Sequence, residues 1–291
     1  MIVSDIEDWV NNRTDMGSIE FRQAAHIILY AVSNSAVITK DYDFVFKGGA
    51  FLSIAMSHDR ATTDIDFSTP QSHSENTEKG LVDELTLQLE DAELDMDYPT
   101  STRVQSVKVK PPIRSHRTVR TYPTLHVTIG YANKNNPKAL VRLNRYNATH
   151  TITVDFSFNE PYYDGMNLTL EDDVAGPVVL KCYSFEEVTA EKLRAILQQP
   201  VRNRIRQQDL YDVCRIIEQH NPNAAKTHDM LVKKATGRGI EKYLCRGGLS
   251  NTDVKDILKA SYPGLKVQVA SLPPFDYSFL IVDRFFDSMP W

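Results

Sequence analysis

The sequence has few of the features that mark a secreted or membrane-bound protein. No apolar run among its 291 residues is long enough to cross a membrane. Residues 1–7 lack the basic start and the apolar core of a signal peptide. The three cysteines, Cys182, Cys214 and Cys245, are far apart and follow no metal-ligand spacing. An odd number of scattered cysteines fits a reducing compartment, so we expect a cytoplasmic protein.

The chain also lacks an excess of basic residues, low-complexity tracts and internal repeats. Its formal net charge of −5 argues mildly against non-specific nucleic-acid binding, although it leaves room for a local basic surface. The eight histidines form no ligand pair. A hydrophobic content of 42% and a charged content of 24% are ordinary for a globular protein. The length allows a substantial core and suggests two adjoining domains, with no demand for more than a monomer.

The hydrophobic periodicity predicts an α+β protein, with a mixed-sheet domain over residues 1–175 and a helical domain over residues 176–291. Ser184 and Glu187 form the signature of a capping box at the start of the helical part. Strands are predicted near 42–46, 63–67, 103–110, 122–130, 140–144, 151–158 and 177–182. Helices are predicted near 4–12, 19–34, 50–56, 77–94, 185–198, 206–220, 223–235, 251–261 and 275–287.

The most informative segment is Asp64-Ile65-Asp66. Polar and apolar residues alternate from Thr63 to Phe67, as they do in a half-buried strand, so both carboxylates lie on one face. Two neighbouring carboxylates repel each other unless a cation lies between them. Mg²⁺ suits this arrangement, because proteins usually bind it through one or two carboxylates together with substrate phosphates. The alternative is a strand end with two surface acids.

Lys47-Gly48-Gly49 lies where the preceding strand turns into a helix. Glycines at such a turn let the backbone approach a ligand, and the N–H groups of the helix start favour a phosphate. Lys47 would add a positive charge. The order strand, paired glycines, helix, strand and Asp-x-Asp resembles the active site of DNA polymerase β-like nucleotidyltransferases. We therefore expect Asp64 and Asp66 to bind the metal and the glycines to bind the triphosphate.

A third carboxylate is expected on a nearby strand, and Asp155 is the candidate. In residues 151–158 the apolar side chains occupy one face, and Asp155 lies on the polar face. As a metal ligand it would help to deprotonate the attacking hydroxyl in a two-metal site. The alternative is a solvated acid on a strand.

Lys192 and Asp209 are the candidates in the second half. Lys192 falls within the apolar arc of its predicted helix, so its ammonium either extends along that face to water or points into a cleft to contact phosphate. Asp209 flanks the buried side of the next predicted helix and would pair with Lys192 or a nearby arginine. Asp212 is expected to point away from that side, in a structural or surface role.

These residues carry a closer resemblance. Four segments are similar to motifs of the AbiEii/AbiGii family, which includes MenT-type toxins: Lys47-Gly48-Gly49-Ala50-x-Leu52, Arg60-x-Thr62-x-Asp64-Ile65-Asp66-Phe67, Ala190-Glu191-Lys192-Leu193-x-Ala195 and Gln208-Asp209-Leu210-Tyr211-Asp212. The resemblance implies the toxin of a toxin–antitoxin or abortive-infection pair that uses an NTP and Mg²⁺ and has a cognate antitoxin. In MenT-type relatives it implies nucleotide addition to the tRNA 3′ end. By position it implies that Lys192 and Asp209 are active-site residues beside Asp64 and Asp66, and that Arg60 and Thr62 join the nucleotide site.

Two positions depart from the family pattern. Ala50 stands where a Thr or Ser usually follows the paired glycines, so a hydroxyl contact to phosphate is missing. Gln208 stands where arginine commonly precedes the aspartate, while Arg204 and Arg206 lie just upstream. Both changes concern nucleotide affinity and leave the metal-binding motif intact.

Several basic clusters and tyrosines are candidates for RNA contact. A basic cluster tracks a phosphate backbone when its members line one groove, and it is otherwise an ordinary solvated surface. Tyrosines can stack on bases, but those on strands are more often core residues. The clusters are Lys108, Lys110, Arg114, His116, Arg117 and Arg120, then Arg202, Arg204 and Arg206, then Lys233, Lys234, Arg238 and Lys242; the tyrosines are Tyr122, Tyr131 and Tyr146.

The sequence thus predicts a Mg²⁺-dependent nucleotidyltransferase that joins an NMP to an acceptor hydroxyl and releases pyrophosphate. The favoured acceptor, the tRNA 3′ end, is implied by the family resemblance alone. Two alternatives stay open. One keeps the reaction and changes the acceptor to a protein or a small molecule, and the other is a non-catalytic NTP-binding protein.

Overall fold

The computed structural model of the protein divides into two compact units, Met1–Cys182 and Tyr183–Trp291. It describes residues 1–13, 15, 17–56, 60, 62–110, 122–269 and 271–291. In this part of the chain no helix combines the length and the apolar character that crossing a membrane requires. The predicted α+β class, with a mixed sheet followed by helices, is confirmed.

The strands described in the first unit form one mixed sheet. Its strands are β1 (Ile2–Asp5), β2 (Val45–Lys47), β3 (Asp64–Ser68), β4 (Thr100–Lys110), β5 (Thr124–Asn133), β6 (His150–Ser157), β7 (Gly165–Glu171) and β8 (Val178–Tyr183). They are ordered β1-β7-β8-β2-β3-β6-β5-β4. The pairs β1–β7, β2–β8 and β3–β6 are parallel, whereas β2–β3, β5–β6 and β4–β5 are antiparallel. The candidate acids of β3 and β6 therefore lie on neighbouring central strands.

The alternation of side chains decides which face of these central strands is buried. Ile65 and Phe67 of β3 are buried, and they are paired in register with Val154 and Phe156 of β6. The rings of Phe67 and Phe156 stack with their centroids 5.4 Å apart. Because side chains alternate along a strand, this apolar layer leaves the aspartates of both strands together on the opposite face.

Helices of the first unit pack on the sheet and on each other. They are α1 (Ile6–Asn12), α2 (Ile19–Asn34), α3 (Gly48–Ala55), α4 (Glu75–Asp95) and α5 (Pro137–Asn144), with a π-helical turn at Val37–Asp41. The Ser18 hydroxyl caps α2 by accepting from the N–H of Phe21. The following residues of α2 are almost continuously buried, because this helix packs against β4, β5, β6 and α4.

Some predicted elements of the first unit differ in the structure. The predicted strand over 140–144 is wrong, since these residues end helix α5, which Asn136 caps and Pro137 begins. Proline is well suited to the first helical position, and this start signal was missed. Strands β1 and β7 were also missed, and the strand predicted over 42–46 is β2, Val45–Lys47. The strand predicted near 177–182 is present as β8, which pairs with β2 in the sheet.

The second unit is helical in its described residues. Its longer helices pack around one core that includes Leu193, Tyr211, Tyr243 and Phe286. Helix α6 packs against α8 and α9, and α11 packs against α8. The helices are α6 (Phe185–Leu197), α7 (Gln199–Arg202), α8 (Gln207–His220), α9 (Ala224–Ala235), α10 (Thr252–Ser261) and α11 (Phe275–Asp287), with 3₁₀ turns at Glu241–Tyr243 and Tyr262–Val267.

Candidate active site

The glycine turn between β2 and α3 lies directly against Asp66. Gly48 has φ +79°, a backbone conformation that favours glycine. A Cβ atom added to Gly48 would lie 2.2 Å from Oδ2 of Asp66, which is shorter than any real contact. The turn and the aspartate are therefore packed together, and only glycine fits between them. The sequence predicted both partners but could not predict this close approach.

Gly49 brings two further predicted residues to the same turn. A Cβ atom added to Gly49 would lie 2.9 Å from Nη2 of Arg60 and 2.9 Å from Oγ1 of Thr62. The guanidinium and the hydroxyl therefore lie over the start of α3, where backbone N–H groups lack helical partners. Oxygen atoms of a phosphate are the natural ligands of such a group of donors.

The three candidate carboxylates share the polar face of the sheet. Asp64 and Asp66 are two residues apart on β3, and Asp66 is paired in register with Asp155 of β6. Neighbouring strands lie about 4.8 Å apart, so Asp66 and Asp155 are side-by-side neighbours. Asp64 is exposed, whereas Asp66 and Asp155 are half-buried. The sheet thus presents a row of carboxylates that solvent or a ligand can reach.

The chemistry of this row fits a divalent cation of the magnesium type. Mg²⁺ takes hard oxygen ligands and usually combines one or two carboxylates with water and substrate phosphates. Asp64, Asp66 and Asp155 supply such oxygens, and Gly48 allows a phosphate to come close to them. Among the residues that the structure describes, no group of three or more His, Cys, Asp or Glu side chains is arranged to hold a metal ion.

Asp155 also contacts a histidine that the sequence did not predict as part of the site. The Nδ1 atom of His126, on β5, lies 2.6 Å from Oδ1 of Asp155. His126 is the register partner of Asp155, and Lys110 Nζ lies 3.2 Å from the same ring nitrogen. The antiparallel β5–β6 pairing creates this contact. Local sequence offers no sign of it, because the two residues are 29 positions apart.

Lys47 is engaged in an ion pair. Its Nζ lies 2.9 Å from Oε1 of Glu160, and the side chain is 9% exposed. Lys47 is also the register partner of Asp66 on the antiparallel β2–β3 pair. Its positive charge therefore lies in the same row as the carboxylates but is balanced in part by Glu160, a residue that the sequence analysis did not single out.

The second unit holds a buried cluster of charges around Lys192. The Lys192 ammonium lies 3.2 Å from Oδ1 of Asp209 and 2.6 Å from Oδ2 of Asp212. Arg206 donates from Nε to the other oxygen of Asp209 at 2.7 Å. Both aspartates are fully buried and Lys192 is 8% exposed. Lys192 therefore does not extend to water but joins α6 to α8 through two carboxylates.

The expectation that Asp212 points away from the buried side is wrong. Asp212 is fully buried and makes the shorter of the two contacts with Lys192. The reason is that α8 packs against α6 on one side and against α11 on another, so most of its circumference is covered. A helical wheel with one apolar arc does not predict a helix that is enclosed in this way.

Position 208 holds a glutamine, and the guanidinium beside Asp209 comes from Arg206. Arg206 lies three residues upstream of Asp209, at the first turn of α8. A spacing of three residues places two side chains on the same helix face, which allows this contact. Ala50, the other departure, is buried in α3.

The residues expected to contact RNA have different surroundings where the structure describes them. Residues 114–120 of the first cluster lie outside the described residues. Lys108 and Lys110 lie on β4, and Tyr131 is a core residue, whereas Tyr122 and Tyr146 are exposed. Lys233 pairs with Asp229, and Lys242 pairs with Asp253. Lys234 is buried against Glu187, whereas Arg202 and Arg204 are exposed.

Comparisons with known proteins place these features in a family. A sequence model described as "Nucleotidyl transferase AbiEii toxin, Type IV TA system" matches residues 30–277. MenT4, a nucleotidyltransferase toxin from Mycobacterium tuberculosis, is 16% identical over 97% of this chain and 87% of that chain, with a TM-score of 0.55. JHP933 from Helicobacter pylori is 14% identical over 92% of this chain and 91% of that chain, with a TM-score of 0.49. No curated protein matches the sequence. At this identity the MenT4 likeness shows the fold.

Proposed function

Because the chain belongs to the AbiEii family of nucleotidyl transferase toxins from type IV toxin–antitoxin systems and is itself a nucleotidyltransferase, we propose that it uses Mg²⁺ to transfer an NMP from an NTP to the 3′ end of tRNA. Family membership implies an NTP as substrate and an antitoxin as partner. The observation that carries the proposal is the close packing of the Gly48 turn against Asp66, beside Asp155.

The proposed roles follow from position and charge. Asp64 and Asp66 would hold the metal, which when bound would draw charge from the phosphates and make the acceptor hydroxyl more acidic. Asp155 would be the third ligand and would help to accept the hydroxyl proton. The backbone at Gly48 and Gly49 holds the triphosphate in place.

The remaining candidates act on charge and orientation. Arg60 and Thr62 donate to the phosphate oxygens, since both lie over Gly49. Lys47, paired with Glu160, adds positive charge to the row of carboxylates. In the second unit, Lys192 offsets the charge of the phosphate, and Asp209 orients the Lys192 ammonium. Positioning and electrostatic stabilisation supply most of the rate enhancement in reactions of this kind.

The acceptor is proposed from the family, and a transfer assay tests it. We would incubate the protein with Mg²⁺, total tRNA and each α-labelled NTP in turn, and follow label on tRNA and release of pyrophosphate. Asp66→Asn keeps the size of the side chain and removes the charge, so it should abolish transfer. Asp173→Asn, an exposed acid between β7 and β8, is the matched control and should leave transfer unchanged.

Three outcomes separate the alternatives. Label on tRNA with the wild type but not with Asp66→Asn supports the proposal. Pyrophosphate release that continues after ribonuclease treatment would indicate that the acceptor is a protein or a small molecule. NTP binding without pyrophosphate release refutes the reaction.

A further inference from the structure

A small pocket in the second unit is lined mainly by guanidinium groups. It lies between the end of α6, the short helix α7 and the start of α8. Its polar lining consists of Arg194, Gln198, Gln199, Arg202, Arg204 and Arg206. The pocket adjoins the Lys192 cluster, since Arg206 also donates to Asp209.

The positive charge of the pocket is only partly balanced. Arg206 is paired with Asp209, and Arg194 donates to the amide oxygen of Gln198 at 2.9 Å. Arg202 and Arg204 have no hydrogen-bond or ion-pair partner in the described part of the chain. Burial lowers the pKa of Arg202, and so do the like charges of Arg238, Arg194 and Arg204. Like charges gathered without acids repel one another, and an anion among them would relieve this repulsion.

A buried amide gives an independent sign of a ligand. Gln199 is only 2% exposed, and its Oε1 accepts from the N–H of Arg206 at 2.9 Å. Its Nε2 donor is buried and has no partner among the described residues. Buried polar groups are nearly always hydrogen-bonded, so an unpaired donor on the wall of a pocket calls for an acceptor inside it.

The volume of the pocket limits the size of the ligand that it can hold. Its water-accessible volume is about 30 Å³. One water needs roughly 10–15 Å³ on this scale, so the pocket holds about two or three waters, which is comparable to one phosphate group. A nucleoside would need a cavity of several hundred Å³, of roughly the size that small-molecule sites have.

We propose that this pocket binds one phosphate group of a substrate, with Arg202 and Arg204 neutralising it and Gln199 donating to an oxygen. Guanidinium groups suit this ligand because their donors match the geometry of phosphate oxygens. This inference rests on the proposed function, because that function supplies the two possible sources of the phosphate group. They are the backbone of the acceptor RNA and the NTP.

Binding of inorganic phosphate tests the pocket without requiring catalysis. We would titrate phosphate into the full-length protein and follow ³¹P NMR line broadening. The double variant Arg202→Gln, Arg204→Gln should weaken binding at least tenfold. Both side chains are exposed, so folding should be unaffected. Arg246→Gln removes an exposed arginine of the same unit outside the pocket and should bind phosphate like the wild type.

A second variant tests the amide. Gln199→Glu keeps an oxygen for the N–H of Arg206 but replaces the donor with a carboxylate that repels phosphate. It should therefore lose phosphate binding although all the arginines remain. Thermal unfolding of each variant checks that the fold is intact.

Two further measurements identify the source of the phosphate. If the source is RNA, the double variant should bind tRNA more weakly, and the slope of log K against log salt should decrease by about 0.7–0.9, the value for one lost phosphate contact. If the source is the NTP, equilibrium dialysis should show weaker NTP binding and tRNA affinity should be unchanged.

The proposal is overturned if the double variant matches Arg246→Gln in phosphate binding. It is also overturned if inorganic phosphate binding is lost while neither tRNA nor NTP binding changes, because the pocket then serves no substrate. Failure of the proposed function is a separate result. It would appear as absent transfer by the wild type, with the phosphate titration unaffected.

Discussion

Gly48→Ala should disable the active site while leaving the fold largely intact. The added methyl carbon would lie 2.2 Å from Oδ2 of Asp66, so the aspartate or the turn has to move by about 1 Å to restore an ordinary contact. Displacements of this size at a reacting centre can reduce the rate about 10²-fold. A non-glycine residue at φ +79° also costs about 1–3 kcal/mol of stability.

Two glycines separate these effects. Gly176 has φ +85° and nothing within 4 Å of an added Cβ, so Gly176→Ala should show the loss of stability with normal activity. Gly80 lies in α4 with nothing within 4 Å, so Gly80→Ala should raise stability by about 0.5–1 kcal/mol. Urea unfolding and kcat/KM for NMP transfer would be measured for all three. Transfer by Gly48→Ala within threefold of Gly176→Ala would refute the role of this packing.

Two predictions concern buried charges, and a third concerns the metal. Lys192→Met should lower the free energy of unfolding by about 3–5 kcal/mol, because it removes the ammonium that contacts both buried aspartates and leaves Asp209 with Arg206; a loss below 1 kcal/mol in urea unfolding would contradict this. Burial lowers the pKa of His26 to about 4 although Asp172 opposes the shift, so the folded state resists protonation. Stability should be complete above pH 6.5 and fall by about 3 kcal/mol as the pH drops to 4, and unfolding of His26→Gln at several pH values should lack this dependence. Removal of Mg²⁺ with EDTA should abolish transfer, and added Mg²⁺ should restore it; transfer that persists in EDTA would contradict a metal-dependent reaction.

The first unit was predictable where the signal is local. Alternation along β3 and β6 places Asp64, Asp66 and Asp155 on polar faces, because successive side chains of any strand point to opposite sides. The pairing of β3 with β6 depends on contacts between residues about 90 positions apart, so the register Asp66–Asp155 came only from the structure. The same holds for His126, which reaches Asp155 from a third strand.

Failures of prediction have particular physical causes. Residues 140–144 contain apolar residues at a spacing that suits a short strand as well as a helix, and Asn136 with Pro137 decides for the helix. Strand β1 is only four residues long, and at the edge of the sheet half of its side chains are exposed, so its hydrophobic signal is weak. Asp212 was misplaced because tertiary packing covers a helix face that the periodicity leaves polar.

The charges in the second unit indicate different roles for the Lys192 cluster and the arginine pocket. Lys192 and Arg206 are matched by Asp209 and Asp212, so this buried group carries little net charge and is held by short contacts. A lysine held between two buried carboxylates gives up one of those contacts when it turns to a phosphate. Arg202 and Arg204 are exposed and pair with no carboxylate in the described residues, so they can bind a phosphate without such a loss. Thus, within this unit, the arginine pocket should supply most of the attraction for substrate phosphates. Lys192 should add a smaller part of it, and its cluster should mainly fix the geometry of α6 and α8. If so, the arginine variants should alter affinity and salt dependence, and Lys192 variants should alter stability and kcat.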